Sequence, residues 1–252
     1  MSITFLKLMH LADSAFPIGA SSHSYGIETL ATEGSLRAAE LEAFLADLLW
    51  ESGLVEALFA RLAYRLASGN GTATHALQAV LPPWLQLNQM CAAMKGARES
   101  RNASATLGRR FLQTVAALEQ DSTLQDLYQQ TIDNAAGIHY CTAFGFVGGH
   151  LCLGEEETIL AYLQQNTTGL ISASLRLLPI GQGRAGEILW RLKTVIAAVA
   201  EASVPLDADR SANSVIGPNT SYSALAPLSL FTPLIELGSM RHPTLHTRLF
   251  IS

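Results

Sequence analysis

The feature that most constrains this chain is an apolar periodicity of three and four residues, which recurs along most of its length. This spacing places apolar side chains on one face of an α-helix. One example is the set Leu41, Phe44, Leu45 and Leu48, and similar stripes follow at 107–118, 159–178 and 188–199. No convincing run of alternating β-branched residues interrupts them. The pattern predicts an all-α fold.

The breaks between these apolar segments are short clusters of Gly, Pro and Ser. Short connections are typical of a compact helical bundle, and we find no internal repeat. We therefore expect about ten helices in a single domain that covers residues 1–252. The longest polar connection is at about 203–223.

Composition excludes two classes of protein. Hydrophobic residues make up 49% of the chain and charged residues 15%, a balance too apolar for a disordered protein. We expect part of this apolar surface to lie in a protein interface. The formal net charge is -5 and no run of Lys or Arg could follow a phosphate backbone, so nucleic acid is not an expected partner.

The cysteines and the first residues favour a cytoplasmic protein. Three cysteines form no CxxC pair, so we predict free buried thiols at Cys91, Cys141 and Cys152. The apolar start of the chain is interrupted by Lys7, His10 and Asp13, and we expect no signal peptide.

The segment 137–154 is the most apolar of the chain, yet it is short against the roughly 20 residues of a membrane span. We predict a buried helix and no membrane association. Small residues recur every four positions in it and would let another helix backbone approach closely. That ridge predicts either tight core packing or a helix crossing at a subunit interface, and it consists of Gly137, Cys141, Gly145 and Gly149.

A literal GxGxxG motif runs from Gly181 to Gly186, with Glu201 at the offset of a ribose-binding acid. A dinucleotide site needs a preceding strand within a βαβ unit, and the sequence before Pro179 is helical. We therefore predict a helix–helix turn after Pro179, with positive φ at Gly181, Gly183 or both. A small-molecule or dinucleotide-dependent enzyme that uses this glycine run is the alternative.

His242 and His246 have the i, i+4 spacing that places two imidazoles on one helical face. They are weak candidates for a nickel or zinc site, because no Cys or carboxylate lies close in sequence. The other interpretation is two solvated histidines. The chain contains no GxSxG, SxxK, HExxH or GxxxxGK[ST] motif, so we predict neither catalytic residues nor a cofactor.

Four separated segments resemble the UreF family of urease accessory proteins. Residues 11–28 are similar to its "DSxxPxGxxxHSxGLE" pattern and residues 98–110 to "RExRxAS...GRR". Residues 139–182 are similar to "H...FG" followed by "SAxxRLxPxGQ", and residues 240–252 to "MxHxxLxxRLFxS". The four segments occur in the family's order from end to end of the chain. Ser21 departs from the pattern, since the family often has an aromatic residue there.

The resemblance implies an all-helical, dimeric protein that catalyses no reaction. It implies binding to the accessory protein UreD, also called UreH, and joint recruitment of the GTPase UreG. That assembly delivers nickel to apo-urease. A direct nickel carrier that uses His242 and His246 is a further alternative.

We expect two parts of the resembling segments to bind partners. The residues are Pro17, Gly19, His23, Tyr25 and Glu28 near the start of the chain, and His242, Arg248, Leu249 and Phe250 near its end. An apolar chain end needs a surface to cover. We therefore predict a partner-binding C-terminal tail from about residue 240, poorly ordered in the free protein and ordered on UreD. The alternative is a tail that packs on its own bundle.

Overall fold

Helices form nearly all the regular structure of the residues that the computed structural model describes, which are 2–69, 77–204 and 232–251. Within these residues there are eleven α-helices and no β-strand, which confirms the all-α prediction. The helices are α1 (Ser2–Leu11), α2 (Ile27–Thr32), α3 (Leu41–Leu48), α4 (Leu54–Ser68), α5 (Leu77–Met94), α6 (Arg98–Glu119), α7 (Ser122–Thr131), α8 (Tyr140–His150), α9 (Glu155–Leu177), α10 (Gln182–Ala202) and α11 (Pro233–Arg241). The polar connection predicted at 203–223 lies almost wholly outside the described residues.

Helices α3 and α4 are joined by a π-helical turn, Leu49–Gly53, without a break in the chain direction. In the first turn of α4, the Glu56 carboxylate accepts hydrogen bonds from the Lys95 ammonium group and from the Tyr162 hydroxyl, the latter at 2.9 Å. Burial raises the pKa of Tyr162, and the neighbouring Glu56 charge raises it further. The charge that Glu56 and Lys95 bring into this part of the bundle is therefore paired.

The centre of the fold is α8, whose residues 140–149 are all buried. It crosses α4 so closely that a Cβ on Gly145 would lie 1.9 Å from the Ala60 carbonyl oxygen. A Cβ on Gly149 would lie 2.3 Å from the Tyr64 carbonyl oxygen. The core interpretation of the small-residue ridge is therefore confirmed at these two glycines. Gly137 lies outside α8, in a turn with φ +76°.

Aromatic rings fill the space around α8. Phe111 of α6 stacks on Phe144 with ring centroids 5.2 Å apart, and Tyr140 and Tyr162 extend the cluster. The Sγ atoms of Cys91 and Cys141 lie 3.5 Å apart as free, buried thiols. The third cysteine, Cys152, is also free but exposed, which corrects the prediction that it is buried. In the described segments no helix has the length and apolar character that would let it cross a membrane.

The turn between α9 and α10 differs from its prediction. Gly181 has φ −85° and ψ 160°, and Gly183 lies inside α10 with no positive φ, so the expected left-handed conformation is wrong at both positions. A Cβ at either position would meet no atom within 4 Å. The glycine run follows helix α9 and not a strand, which removes the structural context that dinucleotide binding requires.

Candidate partner-binding surface

The N-terminal segment turns at Gly19, which has φ +81° and precedes a short 3₁₀ turn, Ala20–Ser22. Ile18 is buried next to it, and its carbonyl oxygen accepts a hydrogen bond of 3.2 Å from Arg110 Nη1. A Cβ on Gly19 would lie 2.7 Å from the same nitrogen. The φ of Gly19 favours glycine at this position, whereas the flexible end of Arg110 could move to admit a side chain. Pro17 remains exposed.

Two glycines bring the two ends of the chain together where α2 packs on α11. A Cβ on Gly26, which has φ +90°, would lie 2.7 Å from the Ile235 carbonyl oxygen. A Cβ on Gly238 would lie 2.8 Å from the Gly26 carbonyl oxygen. The absence of side chains at both positions lets the backbones touch. The first turn of α2 thereby faces the segment that follows α11.

Glu28, in that first turn, is the centre of a buried polar group that we name the Glu28 cluster. Its carboxylate accepts a hydrogen bond of 2.7 Å from His242 Nε2. It also accepts from the backbone amides of Leu249 at 2.6 Å and Phe250 at 3.3 Å. The side chains of Glu28 and His242 are 3% and 1% exposed. Hydrogen bonds to a buried carboxylate are among the strongest in proteins, so this cluster fixes the tail on the bundle.

His23 and Tyr25 lie beside the contact between the N-terminal segment and the tail, which we call the junction. Their ring centroids are 5.9 Å apart, and His23 is buried while Tyr25 is half-buried. Burial lowers the pKa of His23, and the positive charge of Arg110 lowers it further. His23 is therefore neutral near pH 7. Tyr25 has φ +50°, an unusual conformation for a residue with a side chain.

The tail is docked on the bundle, which corrects the prediction that it is poorly ordered in the free protein. Phe250 is buried, and the Ile251 amide donates a hydrogen bond of 2.8 Å to the Ser22 carbonyl oxygen. Leu249 and Ile251 project outward and are 70% and 72% exposed. Arg248 is exposed too.

The predicted partner-binding residues divide into an exposed and a buried group, with Gly19 and Tyr25 half-buried between them. Exposed residues that a partner could reach are Pro17, Arg248 and Leu249. The residues that are buried within the junction, where a partner could not contact them, are His23, Glu28, His242 and Phe250. Sequence reasoning missed the exposed side chains of α11 next to the tail, which are Leu234, Leu237 and Met240. The apolar spacing of these three positions was the available signal.

The two histidines proposed for metal binding do not form a pair. The 3₁₀ turn that begins at His242 ends at Thr244, and Leu245 is extended, so the i, i+4 helical geometry is wrong here. His242 is buried against Glu28 while His246 is exposed. Across residues 2–69, 77–204 and 232–251 there is no cluster of three or more His, Cys, Asp or Glu side chains suited to a metal ion.

Comparison with known proteins assigns the chain to a family. The family model described as UreF matches residues 36–193. The chain belongs to the UreF family. A urease accessory protein UreF from Actinobacillus pleuropneumoniae is 29% identical over 246 residues, which are 97% of each chain. Another from Nostoc sp. is 30% identical over 252 residues, 98% of this chain and 96% of the relative.

Membership of the UreF family bears on how the junction is interpreted. The family is a non-catalytic accessory family, so the junction of N-terminal segment and tail is not an active site. A third relative, a UreF from Sporosarcina pasteurii, is 28% identical over 84% of this chain. Because Leu249 and Ile251 are exposed beside it, the junction of N-terminal segment and tail is our candidate surface for protein recognition.

Proposed function

We propose that this chain is a cytoplasmic, homodimeric scaffold that acts with UreD (UreH) and the GTPase UreG in nickel insertion into apo-urease. The observation that carries the proposal is the docked tail. The Glu28 cluster holds the backbone at Leu249 and Phe250, while the side chains of Leu249 and Ile251 remain in solvent.

Exposed apolar side chains on a fixed backbone suit protein recognition for an energetic reason. Ordering a flexible segment costs free energy on binding, and a segment that is already held pays less of this cost. The tail and α11 together carry five exposed large apolar side chains, namely Leu234, Leu237, Met240, Leu249 and Ile251. Arg248 adds a residue type that is enriched at binding hot spots.

The proposal is tested by co-expression with UreD and UreG from the same organism, followed by size-exclusion chromatography. We expect the three proteins to elute together with the wild-type chain. The double variant Leu249→Glu with Ile251→Glu changes only exposed side chains, so it should fold normally and fail to co-elute with UreD.

The matched control is Leu118→Glu on α6, where the side chain is 57% exposed and lies away from the tail in sequence. This variant should still co-elute. If the tail variant and the control both retain UreD, the tail is not the UreD-binding surface. If the wild-type chain captures neither UreD nor UreG, the scaffold proposal fails.

The homodimer is supported by exposed apolar side chains on α1, where Ile3, Phe5 and Leu6 are 65%, 60% and 58% exposed. Surface of this kind is usually covered by another protein, and two-fold pairing is the commonest form of self-association. Light scattering at micromolar concentration should give twice the mass of the chain. A mass of one chain would contradict the dimer.

A further inference from the structure

A cavity of about 200 Å³ with a mixed polar and apolar lining lies between the 3₁₀ turn Ala20–Ser22 and the second half of α9. Its wall combines hydroxyl and amide groups with the faces of two aromatic rings. The lining residues whose polar groups or rings could contact a ligand are Ser21, Tyr25, Tyr140, Gln165, Ser172 and Arg176.

The charge of this cavity is unbalanced. Arg176 is the only lining residue with a permanent charge, and none of the lining residues is Asp or Glu. Burial raises the pKa of Tyr25 and of Tyr140, so both phenols stay protonated. Among the described residues Arg176 forms no ion pair. At neutral pH the cavity lining therefore carries a single positive charge.

The guanidinium of Arg176 is also positioned by the tail. It lies over the Phe250 ring, 5.6 Å from the ring centroid, and Phe250 is buried by the Glu28 cluster. A guanidinium that stacks on a ring keeps its planar edge available for a second planar group. The stacking thus orients the charge without neutralising it.

This combination points to one class of ligand. A planar guanidinium matches a carboxylate through two parallel N–H···O bonds, and one positive charge balances a monoanion better than a phosphate dianion. The hydroxyls of Ser21 and Ser172 can donate to a carboxylate oxygen, and the Tyr25 and Tyr140 rings can cover a short apolar stem.

We infer that the cavity at Arg176 binds a small monocarboxylate. The inference is independent of the proposed scaffold function, because it concerns a ligand of the free chain. Acetate is the probe, sodium chloride at equal ionic strength is the reference, and acetamide is the neutral molecule of the same shape. The measurements are the melting temperature and isothermal titration calorimetry on the full chain.

We expect acetate, but not acetamide or chloride, to raise the melting temperature in a saturable manner, by roughly 3 °C at tenfold excess over the dissociation constant. Arg176→Gln should weaken acetate binding by about tenfold or more, since a charge-assisted contact is lost. The control Arg98→Gln changes an arginine whose side chain is 77% exposed, and it should bind acetate as the wild-type chain does.

Two results would overturn the inference. The first is an acetate response equal to that of chloride, or one that Arg176→Gln leaves unchanged. The second is the absence of an acetate response together with a fall of the Arg176→Gln mass to that of one chain in light scattering. That second result would assign Arg176 to self-association instead.

Discussion

At the scale of single residues, two buried ionisable groups are accommodated in opposite ways. Glu28 is surrounded by three hydrogen-bond donors, which compensate the desolvation of a carboxylate. His139 is fully buried, with Nδ1 3.2 Å from Ser104 Oγ and with no hydrogen-bond partner for Nε2 in the described residues. Burial lowers the pKa of His139 to about 4, and the Lys95 charge contributes. Glu28 should thus stabilise the fold through its contacts and His139 only as a neutral ring.

Replacing Glu28 should loosen the tail. Glu28→Gln keeps the shape but replaces one acceptor oxygen by a donor, and we expect the free energy of unfolding to fall by about 2 kcal/mol. Urea denaturation measures this change. The control is Glu33→Gln, whose side chain is 36% exposed in an ion pair with Arg241 and should change stability by less than about 0.5 kcal/mol. Equal effects of both substitutions would contradict the importance of the cluster.

His139 should make stability depend on pH. In the folded protein the pKa of His139 is about 4, below its ordinary value of 6.5. Between pH 4 and pH 6.5 this histidine is therefore protonated in the unfolded chain and neutral in the folded chain. Stability is therefore lost as the pH falls through 6.5. From pH 7.5 to pH 5 the loss from this group should be about 2 kcal/mol, and His139→Gln should lose correspondingly less. Urea denaturation at both pH values gives the difference, and identical losses in the two proteins would exclude His139 as the cause.

At the scale of elements, glycines play different parts in α8 and α10. Gly145 in α8 allows the backbone contact with α4, while Gly186 in α10 is exposed with no atom within 4 Å of a built Cβ. The four-residue spacing of small side chains around Gly145 indicates a close helix approach, and Gly186 lies in no such ridge. Packing against a second helix is the physical difference between them.

The two glycines should respond in opposite directions to the same substitution. Gly145→Ala would force α4 and α8 apart and should cost about 3 kcal/mol or more. Gly186→Ala lowers the entropy of the unfolded chain and should stabilise the protein by about 0.5 to 1 kcal/mol. Thermal and urea unfolding of both variants test this. If Gly145→Ala left the free energy of unfolding unchanged, that result would contradict the close backbone contact between α4 and α8.

At the scale of the whole molecule, the chain is closed by contacts between its two ends. The Gly26–Gly238 contact and the Glu28 cluster connect α2 with α11 and the tail. The tail therefore belongs to the folded body and also supplies the exposed surface proposed for UreD. Within the tail, the buried Phe250 ring belongs to the core, while the side chains of Leu249 and Ile251 stay in solvent.

Truncation after Gly238 should consequently destabilise the protein. It removes the buried Phe250 ring and leaves the Glu28 carboxylate without its three donors, at a combined cost of about 5 kcal/mol. For a chain of this size we expect the melting temperature to fall by roughly 10 °C or more. The full-length Leu249→Glu, Ile251→Glu variant is the control and should melt like the wild-type chain. An unchanged melting temperature after truncation would mean that the tail is not part of the core.

The sequence by itself determined the helical fold, because apolar spacing along a helix is a local property that each segment carries alone. Its assignment of partner binding to both chain ends, through residues such as Glu28 and His242, stays a prediction. The sequence failed on the tail, on the His242–His246 pair and on the φ of Gly181 and Gly183. Those features depend on contacts between residues far apart in the chain, such as the 2.7 Å bond from His242 to Glu28, and only the tertiary structure decided them.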